Sequence, residues 1–164
     1  MSGEQAGEQG YQELVMSLEE TPHLIRRLVS DVGESSLSER PRGKTWSILE
    51  HICHLRDIEQ EGYSVRITRV LNEDQPFLND LDGDKLALER DYINQDFRAA
   101  LEAFTATRAL NVDLIRRLSP DRLARGAEFE NVGHVTLLDL LTKIREHDRE
   151  HIKELTDLHN YYSG

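Results

Sequence analysis

The chain has 164 residues, 38% of them hydrophobic and 31% charged, and a formal net charge of -11. That length suits one domain able to bury a core without a disulfide or a structural metal, and the single cysteine, Cys53, excludes an internal disulfide and fits a reducing compartment. The acidic balance, with no long Lys/Arg cluster, excludes nucleic acid and anionic membranes as main partners, and no apolar run nears the roughly 20 residues of a spanning helix.

Residues 1–10 are small and polar, with neither the basic nor the apolar region of a signal peptide. They read as a disordered tail, followed by a single domain over 11–164, in the cytoplasm. Helical spacing runs over 11–20. Thr21-Pro22 then reads as a cap and a first-turn proline that start a second piece reaching about residue 32. Residues 33–43, rich in Ser, Gly and Pro, predict a loop. Thr45 is placed to cap a long helix over 46–72, with Leu49, Ile52, Cys53, Tyr63, Ile67 and Val70 on its apolar side.

The acidic, turn-rich stretch 73–84 predicts a loop. A third long helix is expected over 91–118, with Phe97, Leu101, Phe104, Leu114 and Ile115 at helical spacing. Ser119-Pro120-Asp121 opens a short capped turn, 126–134 reads as another loop, and Thr136 caps a last helix to about residue 161. No stretch alternates with period two for long enough to predict a strand. Helices apolar on one stripe bury it against each other, so the expected fold is all-α, a four-helix bundle. Its long connections predict crossover loops.

The segment His147-Asp148-Arg149-Glu150-His151 carries the clearest chemical signal. Residues four apart on a helix are turned by about 40° and lie about 6 Å apart, so two imidazoles can reach one metal ion. Leu140, Ile144, His147, His151 and Leu158 form one line along the flank of the apolar stripe, whereas Lys143, Arg145, Arg149, Glu150 and Lys153 face water. The pair therefore points inward or into a groove. Spacing alone leaves two readings open: an ordinary half-buried pair with hydrogen-bond partners, or two metal ligands. The second long helix offers Glu50, His51, His54, Asp57 and Glu61, which read equally well as a solvated acidic face. Periodicity does not select a third ligand among them.

Several motifs in order resemble the DinB-like superfamily of bacterial four-helix bundles, over about 11–158. They are the Thr21-Pro22 pair, Trp46-Ser47-Ile48-Leu49-Glu50, His54-Leu55 with Asp57 one turn on, Gly133 with Val135-Thr136-Leu137, and His147-Asp148 and His151 followed by Leu155. The resemblance implies a site of three histidines, one from the second helix eight residues after the tryptophan and two from the last: His54, His147 and His151. It leaves His23, His51, His134 and His159 without a role. It also implies one divalent transition metal. Nitrogen donors suit zinc, nickel, iron or copper better than calcium or magnesium, and three imidazoles leave positions open for water or substrate.

Around such a site Asp57 and Asp148 are candidates for orienting a ligand or handling a proton. Asp148 falls near the middle of the apolar stripe, where an arginine partner would also explain it, and an inward Arg108 calls for an acid. Glu154 stands one turn past His151, where the family often carries an amide. Cys53 reads as a small core residue. The resemblance implies a metal-dependent hydrolase or thiol S-transferase acting on a small molecule, the thiol being of low molecular weight. The alternative is a stress-associated bundle that binds metal or a ligand without turnover. A homodimer is expected through the outer faces of the first and third helices. The loops 73–84 and 126–134 are expected to wall a pocket beside the histidines.

Overall fold

Four long helical stretches build the bundle in the computed structural model, which describes residues 3–164. They are α1 (Gly3–Val29), α2 (Ile48–Asp57) continued by a π-helical turn (Ile58–Tyr63) into α3 (Ser64–Asn72), α5 (Phe97–Arg116) and α7 (Leu137–Ser163). Two short helices, α4 (Gly83–Glu89) and α6 (Pro120–Leu123), lie in the connections. Both α1 and α2 pack against α5 and α7. The consecutive helices α1 and α2 are thus diagonal to each other, and the segment 30–47 is the expected crossover. No helix among the described residues is long and apolar enough to cross a membrane.

The structure departs from the expected elements in ways that have local causes. α1 begins at Gly3, inside the stretch expected to be a tail; Met1 and Ser2 lie outside the described residues. Its first turns are rich in Glu and Gln, good helix formers, and Tyr11 docks the next turn by donating from its hydroxyl to the Ile115 carbonyl at 2.6 Å. Pro22 does not start a new helix but sits inside α1. A proline there cannot donate to the carbonyl four residues back, normally a cost of about 3 kcal/mol. That carbonyl, of Leu18, instead accepts from Arg108 Nη1 at 3.0 Å.

The cap of α2 is Ser47 rather than Thr45. The Ser47 hydroxyl accepts from the Glu50 amide, and the Glu50 carboxylate accepts from the Ser47 amide at 2.8 Å. Thr45 has Ile48 three residues on and cannot form this reciprocal box. The third long helix starts at Phe97, where Asp96 accepts from the Ala99 amide; Asp91 has φ +49 and breaks the chain direction before it.

Three short strands correct the expectation of none: β1 (Phe77–Leu78), β2 (Gly126–Phe129) and β3 (Gly133–Thr136). β1 runs parallel to β2, and β2 antiparallel to β3 with Ala127 opposite Val135. Runs of two to four residues are too short to show a period of two in a sequence. The last strand delivers Thr136, which caps α7 as expected through a box with Asp139.

The apolar core falls into two clusters. One joins Leu14 and Leu18 of α1, Ile67 and Val70 of α3, Ile115 of α5, Leu140 and Ile144 of α7, and the sheet. The other joins Ile25 of α1, Ile52 of α2, Phe104 of α5 and Leu155 of α7. Between them every long helix contributes a buried polar residue: Thr21, Glu59, Arg108 and Asp148. This polar layer lies at the level of His147 and His151 on α7.

Candidate metal centre

His54 on α2 and His147 and His151 on α7 come together across the helix pair, with one ring nitrogen of each lying within 4.8 Å of the others. His147 Nε2 is 3.0 Å from His54 Nε2 and 3.1 Å from His151 Nε2. A neutral imidazole nitrogen has either one proton or one lone pair. His147 Nε2 has one proton or one lone pair to share between two neighbours, so it cannot make a full hydrogen bond to both. A cation with metal–nitrogen bonds of about 2.1 Å and angles of 90–109° would hold such nitrogens about 3.0–3.4 Å apart. The donor set and its spacing fit a transition metal.

Burial strips these rings of protons. From an ordinary value of 6.5, burial and then the charge of His151 push His147 down to about 3, with smaller pushes from Arg108 and Arg66. Burial and the other histidines push His54 down to about 2. His151 is lowered by burial to about 4, against the opposing charges of Asp148 and Glu154. All three are neutral near pH 7 and present lone pairs.

The surroundings explain how the rings are held. Trp46 lies against them, its ring centre 4.9 Å from that of His54 and 6.2 Å, stacked, from that of His151. Gly83, the first residue of α4, covers the outer edge of His54, where a Cβ would fall 2.6 Å from Cε1 and 2.8 Å from Nδ1. The buried Nδ1 atoms of His54 and His147 have no hydrogen-bond partner among the described residues. The Nδ1 of His151 does have one: His51 Nδ1, 2.9 Å away. His51, which the sequence left without a role, is thus buried beside the cluster. Burial and then His151 lower it to about 3. Its signal was available, since His51 and His54 are one turn apart on α2.

The two aspartates have other partners. Asp57 accepts from Arg56 at 2.7 Å, Arg90 at 2.8 Å and Tyr92 at 2.6 Å, and so anchors the segment after α4. Burial would raise its pKa, but these donors hold it below the ordinary carboxylate range. No histidine is hydrogen-bonded to it, although its charge acts on His54. Asp148 accepts from Thr21 and bidentately from Arg108, whose other side is held by Glu59; this is the acid that an inward Arg108 called for. Glu154 pairs with Lys44 of the crossover segment at 3.1 Å. Cys53 is buried, and burial raises its thiol to about 11, which makes it inert. His23, His134 and His159 lie outside the cluster.

A pocket of about 350 Å³ opens beside the cluster and is lined by His54, His147, Tyr63 and Arg66. Both loop regions expected to wall it do so, through Asp80 and Leu81 before α4 and Phe129 and Val132 of the hairpin. A larger groove of about 940 Å³, between the segment that follows α1 and the start of α5, touches none of the three histidines.

Comparison with known proteins bears on the family and the fold. The family model described as the DinB superfamily matches residues 17–155. A protein of Oceanobacillus iheyensis, provisionally named a metal-dependent hydrolase, is 24% identical over 146 residues, 89% of this chain and 84% of its own. A protein of Bacillus licheniformis named in the same way is 27% identical over 78 residues, 48% of this chain and 44% of its own. Among solved structures, YfiT from Bacillus subtilis, a four-helix bundle of unusual topology, has a TM-score of 0.84 at 23% identity, covering 98% of this chain and 89% of its own.

Proposed function

The chain belongs to the DinB superfamily, and from that premise we propose that it is a metal-dependent hydrolase of a small molecule, with His54, His147 and His151 as the ligands of one divalent transition metal, zinc, nickel or iron. The observation that carries the reading is the convergence of three neutral imidazole nitrogens at the edge of a pocket. The names of the curated relatives support it.

A divalent ion held there supplies Lewis acidity toward a substrate oxygen and eases the loss of a proton from water. The chain's own residues do the rest. Trp46 and the backbone of Gly83 shield the rings from bulk water and fix their planes. Asp80, Glu146 and Glu150 line the pocket and are the carboxylates placed to take up a proton. Phe129, Leu140 and Ile58 give it apolar surface for the body of a small substrate.

The test is metal content of untagged protein, followed by a panel of esters, amides and thiol-plus-electrophile pairs. One bound ion per chain, and hydrolysis lost with the ion in His54→Ala, is the expected result. Stoichiometric metal with transfer to thiols and no hydrolysis would move the assignment to thiol S-transferase. Stoichiometric metal with no turnover would leave a metal-binding bundle. A homodimer is proposed through the outer faces of α1 and α5, where Met16, Leu110 and Leu114 are exposed; sedimentation at the mass of one chain would refute it.

A further inference from the structure

Arg66 and Arg108 are both buried, yet their charges are met very differently. Arg108 has two carboxylates on its guanidinium, with four hydrogen bonds of 2.6–2.9 Å. Arg66 has no such pair. Its Nε and Nη2 share one acceptor, the Asn79 carbonyl, at 3.3 and 3.0 Å. The carboxylate it approaches, Asp80, stands at 3.6 Å and is itself 60% exposed. The rest of the guanidinium is held by aromatic faces, its carbon 4.7 Å from the centre of the Phe129 ring and 5.6 Å from that of Tyr63. Nη1 lies against Gly62, where a Cβ would approach to 3.3 Å.

A buried cation whose one nearby anion is exposed and 3.6 Å away is poorly compensated, and burial accordingly pulls the Arg66 pKa below its ordinary value, against the smaller opposing effects of Tyr63 and Asp80. Stacking on two rings offsets part of that cost, but it supplies no counter-charge. What Arg66 does face is the pocket it shares with His54 and His147. The π-helical turn bears on this placement. It ends at Tyr63, carries Gly62, and rotates α3 relative to α2, so that Arg66 reaches the pocket that His54 borders. Such turns are common at functional sites.

We infer that Arg66 is a carboxylate-binding residue, receiving the acid group of the substrate on the pocket wall while the bond to be cut lies at the histidine cluster. A planar guanidinium matches a carboxylate with two parallel hydrogen bonds. The acids of the rim, Asp80, Glu146 and Glu150, are exposed and screened by water, whereas Arg66 acts in a low-dielectric wall where charge is felt most strongly. The pocket volume, about 350 Å³, suits a compact molecule such as an N-acyl amino acid. The inference rests on the reading of this pocket as the substrate site.

The experiment compares N-acetylglycine with its uncharged amide, N-acetylglycinamide, as probes titrated into full-length protein and followed by NMR chemical shifts, with and without zinc. The acid should bind at least about tenfold more tightly than the amide in both forms. Arg66→Gln should erase the preference in both while zinc uptake is retained. Equal binding of the two probes to wild type overturns the proposal. So does a preference that survives Arg66→Gln, or one seen only with zinc, which would put the carboxylate on the metal. If Arg66→Gln does not fold, the wild-type comparison without zinc decides. A preference without any turnover would remove the hydrolase reading and keep this site; hydrolysis of neutral esters without a preference would do the reverse.

Discussion

At the scale of the residue, the cluster depends on side chains that bind nothing themselves. If His151 gives its Nε2 lone pair to a metal, its Nδ1 carries the proton, and that proton points at His51 Nδ1, 2.9 Å away. His51 then accepts, orienting the ring and making it a better donor. Partners of this kind are worth roughly 10–100-fold in metal affinity. His51→Ala is expected to weaken zinc binding by about that factor without abolishing it, as read by competition with a chromophoric chelator. Unchanged affinity would mean that the contact is incidental. Gly83 offers a second check. A methyl group at 2.6 Å from His54 Cε1 cannot be accommodated in place, so Gly83→Ala must push either the ring or α4. The expected outcome is lost metal affinity with helicity kept by circular dichroism. Trp46, the single tryptophan, stands beside three of the histidines and gives a fluorescence readout for both variants.

At the scale of the element, the long helices are held in register by a buried charge network rather than by apolar packing alone. Arg108 of α5 reaches Glu59 in the π-helical turn, Asp148 of α7 and the Leu18 carbonyl of α1. It thereby satisfies the acceptor that Pro22 left open. Asn111 adds a hydrogen bond to Glu59 at 2.8 Å. Removing the cation would strand two buried carboxylates and a carbonyl, a loss of about 3–5 kcal/mol. Arg108→Ala should therefore lower the urea midpoint strongly, and it should also loosen α7 beside His147. A change under about 1 kcal/mol in denaturant unfolding would show that water replaces the guanidinium at little cost.

At the scale of the whole molecule, four low-pKa histidines make folding sensitive to pH. Their folded values, about 2 to 4, lie below the ordinary 6.5. The unfolded chain therefore takes up protons near pH 6.5 that the folded chain refuses. The associated stability is full above pH 6.5 and declines as pH falls toward the folded values. Metal-free protein should be distinctly less stable at pH 5 than at pH 7, in a window where most carboxylates are still ionised. The double variant His147→Ala, His151→Ala should flatten that dependence and keep a helical fold, because the two apolar clusters do not depend on the rings. An equally steep dependence in the variant, followed by urea unfolding at the two pH values, would assign it to other groups.

What the sequence determined by itself was what is local or periodic. The four helical stretches follow from apolar spacing, the cap of α7 from Thr136 and Asp139, and the shared face of His147 and His151 from the helical turn. His54 was reached through motif order, since its own helix gave no reason to prefer it. Only the tertiary structure decided the rest, because those features are contacts between distant segments. Pro22 looked like a break, and remains inside α1 because Arg108 arrives from α5 to meet Leu18. Asp57 looked open to solvent, and is buried and engaged by Arg56, Arg90 and Tyr92. Gly83 read as part of a turn, and is required to be small by His54. His51 and Arg66 were ordinary positions on a helix until α7 brought a free ring nitrogen to one and the hairpin brought an aromatic face to the other. Periodicity reports which way a side chain leaves its own helix; what it meets there is set by packing between helices, which no local pattern encodes.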